Sequence, residues 1–469
     1  MTAVVRDPAV LEGYARDASG LRYVPESLAR PVSLDEVVEI VRETASTGTA
    51  ITPAGAQTST TGASLAARGM LLSLRAMDRV LDVDAARGTA RVEPGLLLGA
   101  LNHQVAGEGL FFTPDPTSDE TCTMGGAIAC NASGPRTLLY GATRPHVRAL
   151  TVVLADGSVR EFRRPRVEKN TVGYAPTHDL VDWFVGSEGT LGVVVAAELA
   201  LRSRPTRETG LGIPFPTLTD AVAFVRDARA SQVIVPRCLE YFDAEAFRIA
   251  RGDADRGANG GANGGANGGA SASWGSDGQV MIYAEDCTEG ELEIDAWLEL
   301  AERHGASDAE VRVFEGDSAI REARRLRHAV PAAMHERTAP YLSSGGRRIS
   351  TDWAVPIERV EEAILLADGF ALEAGFSPAV TYGHIGNGHP HQNWVAQDPA
   401  KVKALEAVVE RTLKAVIAMG GTVAAEHGIG KLKARWLGLQ ANHAQIALMR
   451  AAKQEFDPAG RMAPGNILA

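Results

Sequence analysis

Hydrophobic and polar positions run along this chain in blocks of two periods, and the blocks predict an α+β protein. The first block follows Pro31, where Val37, Ile40, Val41 and Thr44 share one helical face. Ser33 stands at the N-cap position, Glu36 three residues on completes a capping box, and Gly48 is the stop. A strand-like run, Ala50 to Pro53, then enters the polar loop Ala54–Gly62. Further β-type runs lie at Met70–Leu74, Val80–Val83 and Thr89–Val92, with a helical stretch from Leu97 to Gly107. From Val147 a strand, an Asp156-Gly157 turn and a second strand predict a hairpin. The most apolar run, Leu191–Leu201, is broken by Glu198 and too short to cross a bilayer, so it reads as a strand. After the Pro-containing segment Arg202–Arg207, helical and strand patterns alternate as far as Val423.

A chain of 469 residues exceeds what one ordinary core supports. The pattern divides it into residues 1–207, 208–420 and a C-terminal segment 421–469. Residues 257–270 repeat Gly-Ala-Asn-Gly with a period of four, which excludes collagen and cannot bury a core. A flexible surface insertion is expected there. Composition adds little: 45% hydrophobic and 22% charged residues are ordinary for a soluble enzyme. The net charge of -11 argues against a nucleic-acid binder. Residues Met1–Pro8 show no basic and apolar leader, and the four cysteines are scattered without a C-x-x-C pair. Reduced thiols and a cytoplasmic location are the expectation.

Candidate chemistry sits in two kinds of segment. Three loops rich in Gly, Ser and Thr border strands or helices: Pro53–Gly62, Thr121–Gly134 and Gly186–Gly192. Their exposed amides and hydroxyls suit phosphate oxygens. None fits the Rossmann or Walker pattern. Near the C-terminal end lie two polar islands, Gly383-His384-Ile385-Gly386-Asn387-Gly388-His389-Pro390-His391 and Ala425-Glu426-His427-Gly428-Ile429-Gly430. Imidazoles and a carboxylate are ligands for a divalent metal such as zinc, and a further His can move a proton near neutral pH. His389 competes with His384 and His391 for a ligand role, and spacing does not choose among them.

The order of these segments resembles flavoproteins of vanillyl-alcohol-oxidase type, in the branch of D-lactate dehydrogenase, glycolate oxidase subunit and D-2-hydroxyglutarate dehydrogenase. The resemblance rests on Pro114-Asp-Pro-Thr-Ser118 with Thr123-Met-Gly-Gly126, on Gly186-Ser-Glu-Gly-Thr-Leu-Gly192, and on the two islands. It implies a two-subdomain FAD-binding domain and an α+β substrate (cap) domain with an antiparallel sheet. It implies FAD held by Pro53, Ala54, Gly55, Ala56, Gln57, Thr58 and Ser59 around the pyrophosphate. Some relatives carry a covalent histidyl flavin, but His103 and His146, the only nearby candidates, are not in the expected context, so noncovalent FAD is expected. Pro114, Thr117, Thr123, Gly125, Gly126, Ala129, Ser133 and Gly134 would run towards the isoalloxazine, with Glu188, Gly189, Val193 and Val194 at the adenosine end. It also implies a Zn2+ or Mn2+ ion on His384, His391 and Glu426, with His427 as the general base. The family places Asn at 389, so His389 is left out.

The activity implied is oxidation of a D-2-hydroxy acid, D-lactate-like or D-2-hydroxyglutarate-like, to the 2-oxo acid by hydride transfer to flavin. Arg325, Arg327 and Tyr382 are the expected substrate contacts, an arginine being suited to clamp a carboxylate. Implied partners are the acid, an electron acceptor (quinone, cytochrome, electron-transfer flavoprotein or iron–sulfur protein), and a second copy in a homodimer; contact with the acceptor would bring the protein to a membrane periphery. The alternatives are a metal-independent FAD oxidase or an alkylglycerone-phosphate-synthase-like enzyme of the same fold. A zinc hydrolase with purely structural glycine loops and an inactive FAD-binding subunit also stay open.

Overall fold

The computed structural model describes residues 3–174, 177, 179–259, 274–287 and 294–468. The Gly-Ala-Asn insertion lies outside them from residue 260 to 270. The chain divides into two compact units. The first comprises Met1–Gly134, Tyr140–Arg204 and Glu426–Ala469; the second comprises Pro135–Leu139 and Pro205–Ala425.

In the first unit β1 (Ser27–Ala29), β2 (Ile51–Ala54) and β3 (Met70–Ser73) form a parallel sheet in the order β1-β3-β2. Helix α1 (Leu34–Thr47) starts where the sequence placed it, with the Ser33 hydroxyl accepting from Glu36 N–H at 3.3 Å. The Glu36 carboxylate reaches back to Val32 N–H at 2.8 Å, one residue before the cap. Val37, Ile40 and Val41 join Ile51, Met70 and Leu72 in one apolar cluster. Burying each such side chain is worth about 1.5–3 kcal/mol against exposure.

A second sheet, all antiparallel, takes β4 (Val80–Asp84), β5 (Thr89–Val92), β7 (Val147–Val153), β8 (Val159–Arg163) and β9 (Val193–Ala200) in the order β4-β5-β9-β7-β8. The Asp156-Gly157 turn closes β7 onto β8, with Gly157 at φ +78°, as the dipeptide predicted. The short strands β6 (Leu110–Phe111) and β10 (Arg202–Ser203) pair separately. Helices α2 (Leu98–Val105) and α3 (Met124–Cys130) share an apolar cluster with β7 and β9.

The second unit is one seven-stranded antiparallel sheet with helices. Its strands are β11 (Thr209–Phe215), β12 (Pro236–Phe242), β13 (Val280–Asp286), β14 (Arg312–Glu315), β15 (Arg347–Ser350), β16 (Val380–His384) and β17 (His389–Ala396), ordered β14-β11-β13-β12-β16-β17-β15. The helices are α4 (Leu218–Ala230), α5 (Ala244–Asn259), α6 (Gly316–Thr338), α7 (Val360–Glu373) and α8 (Pro399–Ala418). Cys238, Phe242, Met281 and Tyr283 of the sheet cluster with Ala323, Leu326 and Val330 of α6. Two carboxylates interrupt this layer, Glu240 of β12 and Glu285 of β13, and each meets an arginine of α6: Arg327 and Arg324 respectively. Among the described residues no helix is long and apolar enough to cross a membrane.

Candidate active site

The glycine loops of the first unit converge. A Cβ on Gly55 would stand 2.0 Å from Thr123 Oγ1, and one on Gly134 would stand 2.2 Å from Asp115 O. Gly189 packs on Pro53, with its Cβ position 3.2 Å from Cδ. Glu188 N–H donates to Ala129 O at 2.8 Å. Only glycine permits backbones to approach this closely. Segments Pro53–Ser59, Pro114–Thr117, Thr123–Gly134 and Glu188–Gly189 thus come together, as expected of residues lining one elongated ligand. Gln57 holds the first loop in a left-handed conformation (φ +58°) and donates to Tyr14 O at 3.0 Å. The Thr60 hydroxyl is buried and has no hydrogen-bond partner among the described residues. A cradle of small residues with an unspent hydroxyl fits a dinucleotide. Pro114 and Ser133 are buried in it, Thr117 is exposed, and Val193 and Val194 open β9.

In the second unit the first island folds as the hairpin β16–β17. Tyr382 pairs with His391 and His384 with His389 across it. Gly388 (φ +66°) makes the turn, where a Cβ would lie 2.0 Å from Val355 O. Gly383 (φ +126°) leaves room for the His391 ring, whose Cδ2 lies 2.8 Å from the Cβ position. Three buried imidazoles result, with ring centroids 5.6 Å (His384–His389), 5.5 Å (His384–His391) and 4.5 Å (His389–His391) apart.

Every Nδ1 of this trio faces an acceptor. His384 Nδ1 is 2.6 Å from Glu240 Oε1, His389 Nδ1 is 2.7 Å from Trp353 O, and His391 Nδ1 is 3.2 Å from Thr351 O. A ring that donates from Nδ1 presents the Nε2 lone pair, the tautomer a metal needs. Burial alone would push the Glu240 carboxyl up, but His384 and Arg327 beside it outweigh burial and hold it at about 2. Arg327 completes the group, with Nε 2.6 Å from Glu240 Oε2 and Nη2 3.0 Å from His384 Nε2. His389 Nε2 lies 3.4 Å from Asp352 Oδ1. The donor set of imidazoles and carboxylate fits Zn2+ or Mn2+.

The second island begins where the chain leaves the second unit. Ala425 N–H donates to Asp352 O at 2.8 Å, and Glu426 and His427 follow it directly into the first unit. There His427 O accepts from the Thr61 hydroxyl at 3.4 Å. Ile429 and Gly430 donate their amides to the buried carboxylate of Glu188.

Of the expected substrate contacts, Arg327 lies beside the imidazoles. Arg325 faces outward on the exposed side of α6, because two residues along a helix turn the side chain away. Tyr382 is buried in the apolar cluster with Phe242 and Leu326, its ring 5.8 Å from His391. Sequence reasoning missed Glu240. Its signal was a lone charge inside the apolar run Cys238–Phe242. It also missed the use made of the Glu188 side chain, which is spent on backbone amides.

Known proteins resemble the chain over nearly its whole length. Residues 25–163 match the FAD binding domain and residues 204–467 match the C-terminal domain of FAD linked oxidases. A D-2-hydroxyglutarate dehydrogenase of Xanthomonas citri pv. viticola is 31% identical, covering 98% of this chain and 93% of its own. The glycolate oxidase subunit GlcD of Bacillus subtilis is 28% identical, covering 97% and 92%. Among solved structures, 4-ethylphenol oxidase from Gulosibacter chungangensis superimposes with a TM-score of 0.72 at 17% identity, covering 99% of this chain and 94% of its own. The loops Pro53–Gly62 and Thr121–Gly134 therefore lie within an FAD binding domain, which overturns the hydrolase reading in which the glycine loops were only structural. Two matched domains lead to one conclusion: the chain belongs to the FAD-linked oxidases, with the vanillyl-alcohol-oxidase-type fold.

Proposed function

We propose that this enzyme oxidises a D-2-hydroxy acid, D-lactate-like or D-2-hydroxyglutarate-like, to the 2-oxo acid. The observation that carries the reading is the trio of buried imidazoles, packed within 4.5–5.6 Å of one another with each Nδ1 on an acceptor. His384 and His391 hold a divalent metal with Glu426, and noncovalent FAD occupies the loop cradle. When bound, the flavin supplies a hydride acceptor and the metal a Lewis acid. His427 takes the hydroxyl proton at a ring nitrogen, the general-base role an imidazole can fill. The guanidinium of Arg327 orients the substrate carboxylate. Loss of the hydroxyl proton and of the α-hydrogen as hydride leaves the C=O of the 2-oxo acid, so atoms and charge balance.

His427→Ala tests the base. Flavin reduction by substrate is expected to fall about 10²–10⁴-fold with FAD and metal still bound. Unchanged turnover would remove His427 from this role.

A further inference from the structure

We propose that Glu188 is a positioning residue, an anion seated in the second island's backbone that fixes where Glu426 and His427 stand. The inference rests on the reading of His427 as the base.

Glu188 is buried, 5% exposed, and lies in the first unit together with the island. Its Oε1 accepts from Ile429 N–H at 2.7 Å and Gly430 N–H at 3.0 Å, and its Oε2 accepts from Gly430 N–H at 2.9 Å. Two successive amides converging on one anion form a nest. The nest needs Gly428 at φ +74° and Gly430 at φ +52°, a conformation that side chains resist. Contact is close on both glycines: a Cβ on Gly428 would stand 2.6 Å from Glu188 Oε1, and one on Gly430 2.3 Å from Thr61 O.

Glu188 itself is held on its main chain. Its N–H donates to Ala129 O at 2.8 Å and its carbonyl accepts from Asn466 Nδ2 at 3.1 Å. It adopts φ +51°, a strained value for a residue with a side chain. Strain of this kind persists only where surrounding contacts enforce it, and here it aims the carboxylate at the island. Lys431, next along the chain, spends its ammonium on Gly62 O at 3.2 Å and Asn466 Oδ1 at 2.6 Å. The hydrogen bonds on the carboxylate thus come from the amides, with Lys433 and Lys431 adding favourable charge nearby. Since His427 is joined directly to Gly428, the base stands between two fixed points: the Thr61 hydroxyl on its own carbonyl and the Glu188 clamp on the two following amides.

The test uses the full-length, FAD-loaded protein with Glu188→Ala and Glu188→Gln. A displacement of about 1 Å at a reacting group costs about 10²-fold in rate. Glu188→Ala is expected to lower the limiting rate of anaerobic flavin reduction by D-lactate or D-2-hydroxyglutarate about 10²-fold, measured on the FAD-loaded fraction of the protein. Glu188→Gln keeps one acceptor oxygen and should recover about tenfold of that loss, the worth of a charge-assisted bond. Hydrogen exchange at Ile429 and Gly430 should be slow in the unaltered protein and fast in Glu188→Ala. If Glu188→Ala fails to fold, Glu188→Gln carries the test through its own rate and exchange. A limiting rate equal to that of the unaltered chain, with FAD bound, overturns the proposal. So does a loss confined to FAD affinity, which would make Glu188 a cofactor contact. An inactive His427→Ala beside a fully active Glu188→Ala sinks this proposal alone; a fully active His427→Ala sinks the base assignment.

Discussion

Glu240 and Glu188 are both buried carboxylates, one in each unit, and they are kept in opposite ways. Glu240 is surrounded by cationic and imidazole partners, Arg327 and His384, and is held at about 2. Glu188 is held by amides; burial pushes its carboxyl above the usual range, and bonds from Gly430 and Ile429 offset only part of that. Asp243 belongs with Glu188. It accepts from Ala246 and Thr381 amides, and burial still pushes it up to about 7. Amide dipoles place Glu188 and Asp243 without cancelling the cost of burial, whereas the Arg327 guanidinium and the His384 imidazole more than cancel it at Glu240.

The largest break in this comparison is Glu240→Ala. It leaves Arg327 and His384 buried without their counter-charge, which typically costs about 3–5 kcal/mol. Urea unfolding near pH 7 should show a loss of that size, and a change below about 1 kcal/mol would refute the account of the pair.

Next comes the opposite pH dependence. A lowered carboxyl pKa means that Glu240 contributes stability that is complete above its ordinary 4.5 and is lost as pH falls from there towards about 2. A raised pKa means that the native state binds the proton more tightly. The contribution of Asp243 therefore weakens as pH rises from 3.8 through about 7. Glu188 has the same sign, beginning above 4.5. Unfolding free energies between pH 4 and 7 should decline less in Asp243→Asn than in the unaltered chain; parallel curves would contradict this.

A smaller effect is expected for Gly428→Ala, where φ +74° and the 2.6 Å approach to Glu188 combine. The carboxylate can yield, so a cost of about 1–2 kcal/mol is expected, read from the thermal midpoint. Smallest is Arg325→Ala. Exposed on α6, it should change stability by no more than about 0.5 kcal/mol and leave KM for the acid unaltered, whereas Arg327→Ala should raise KM strongly.

Much of this was legible in the chain because it depends on near neighbours. The α1 cap, the Asp156-Gly157 turn and the β9 strand follow from local chemistry. The His384–His391 island is a hairpin with His384 ending β16 and His391 inside β17, because Gly388 closes the turn. What stayed hidden depends on distant partners. Glu240 meets His384 across 144 residues of sequence, and Glu188 meets Ile429 across 241. Spacing within a motif says nothing of such pairs. The choice between Arg325 and Arg327 was equally hidden until the face of α6 was fixed by Ala323, Leu326 and Val330.

The most direct measurement is anaerobic reduction of the bound flavin by paired D- and L-2-hydroxy acids, before and after chelation. Bleaching by a D-acid that stops on chelation and returns with Zn2+ or Mn2+ is the expected result. Bleaching that continues undiminished in the metal-free protein, or that fails with every 2-hydroxy acid while another alcohol reduces the flavin, would contradict the proposed chemistry.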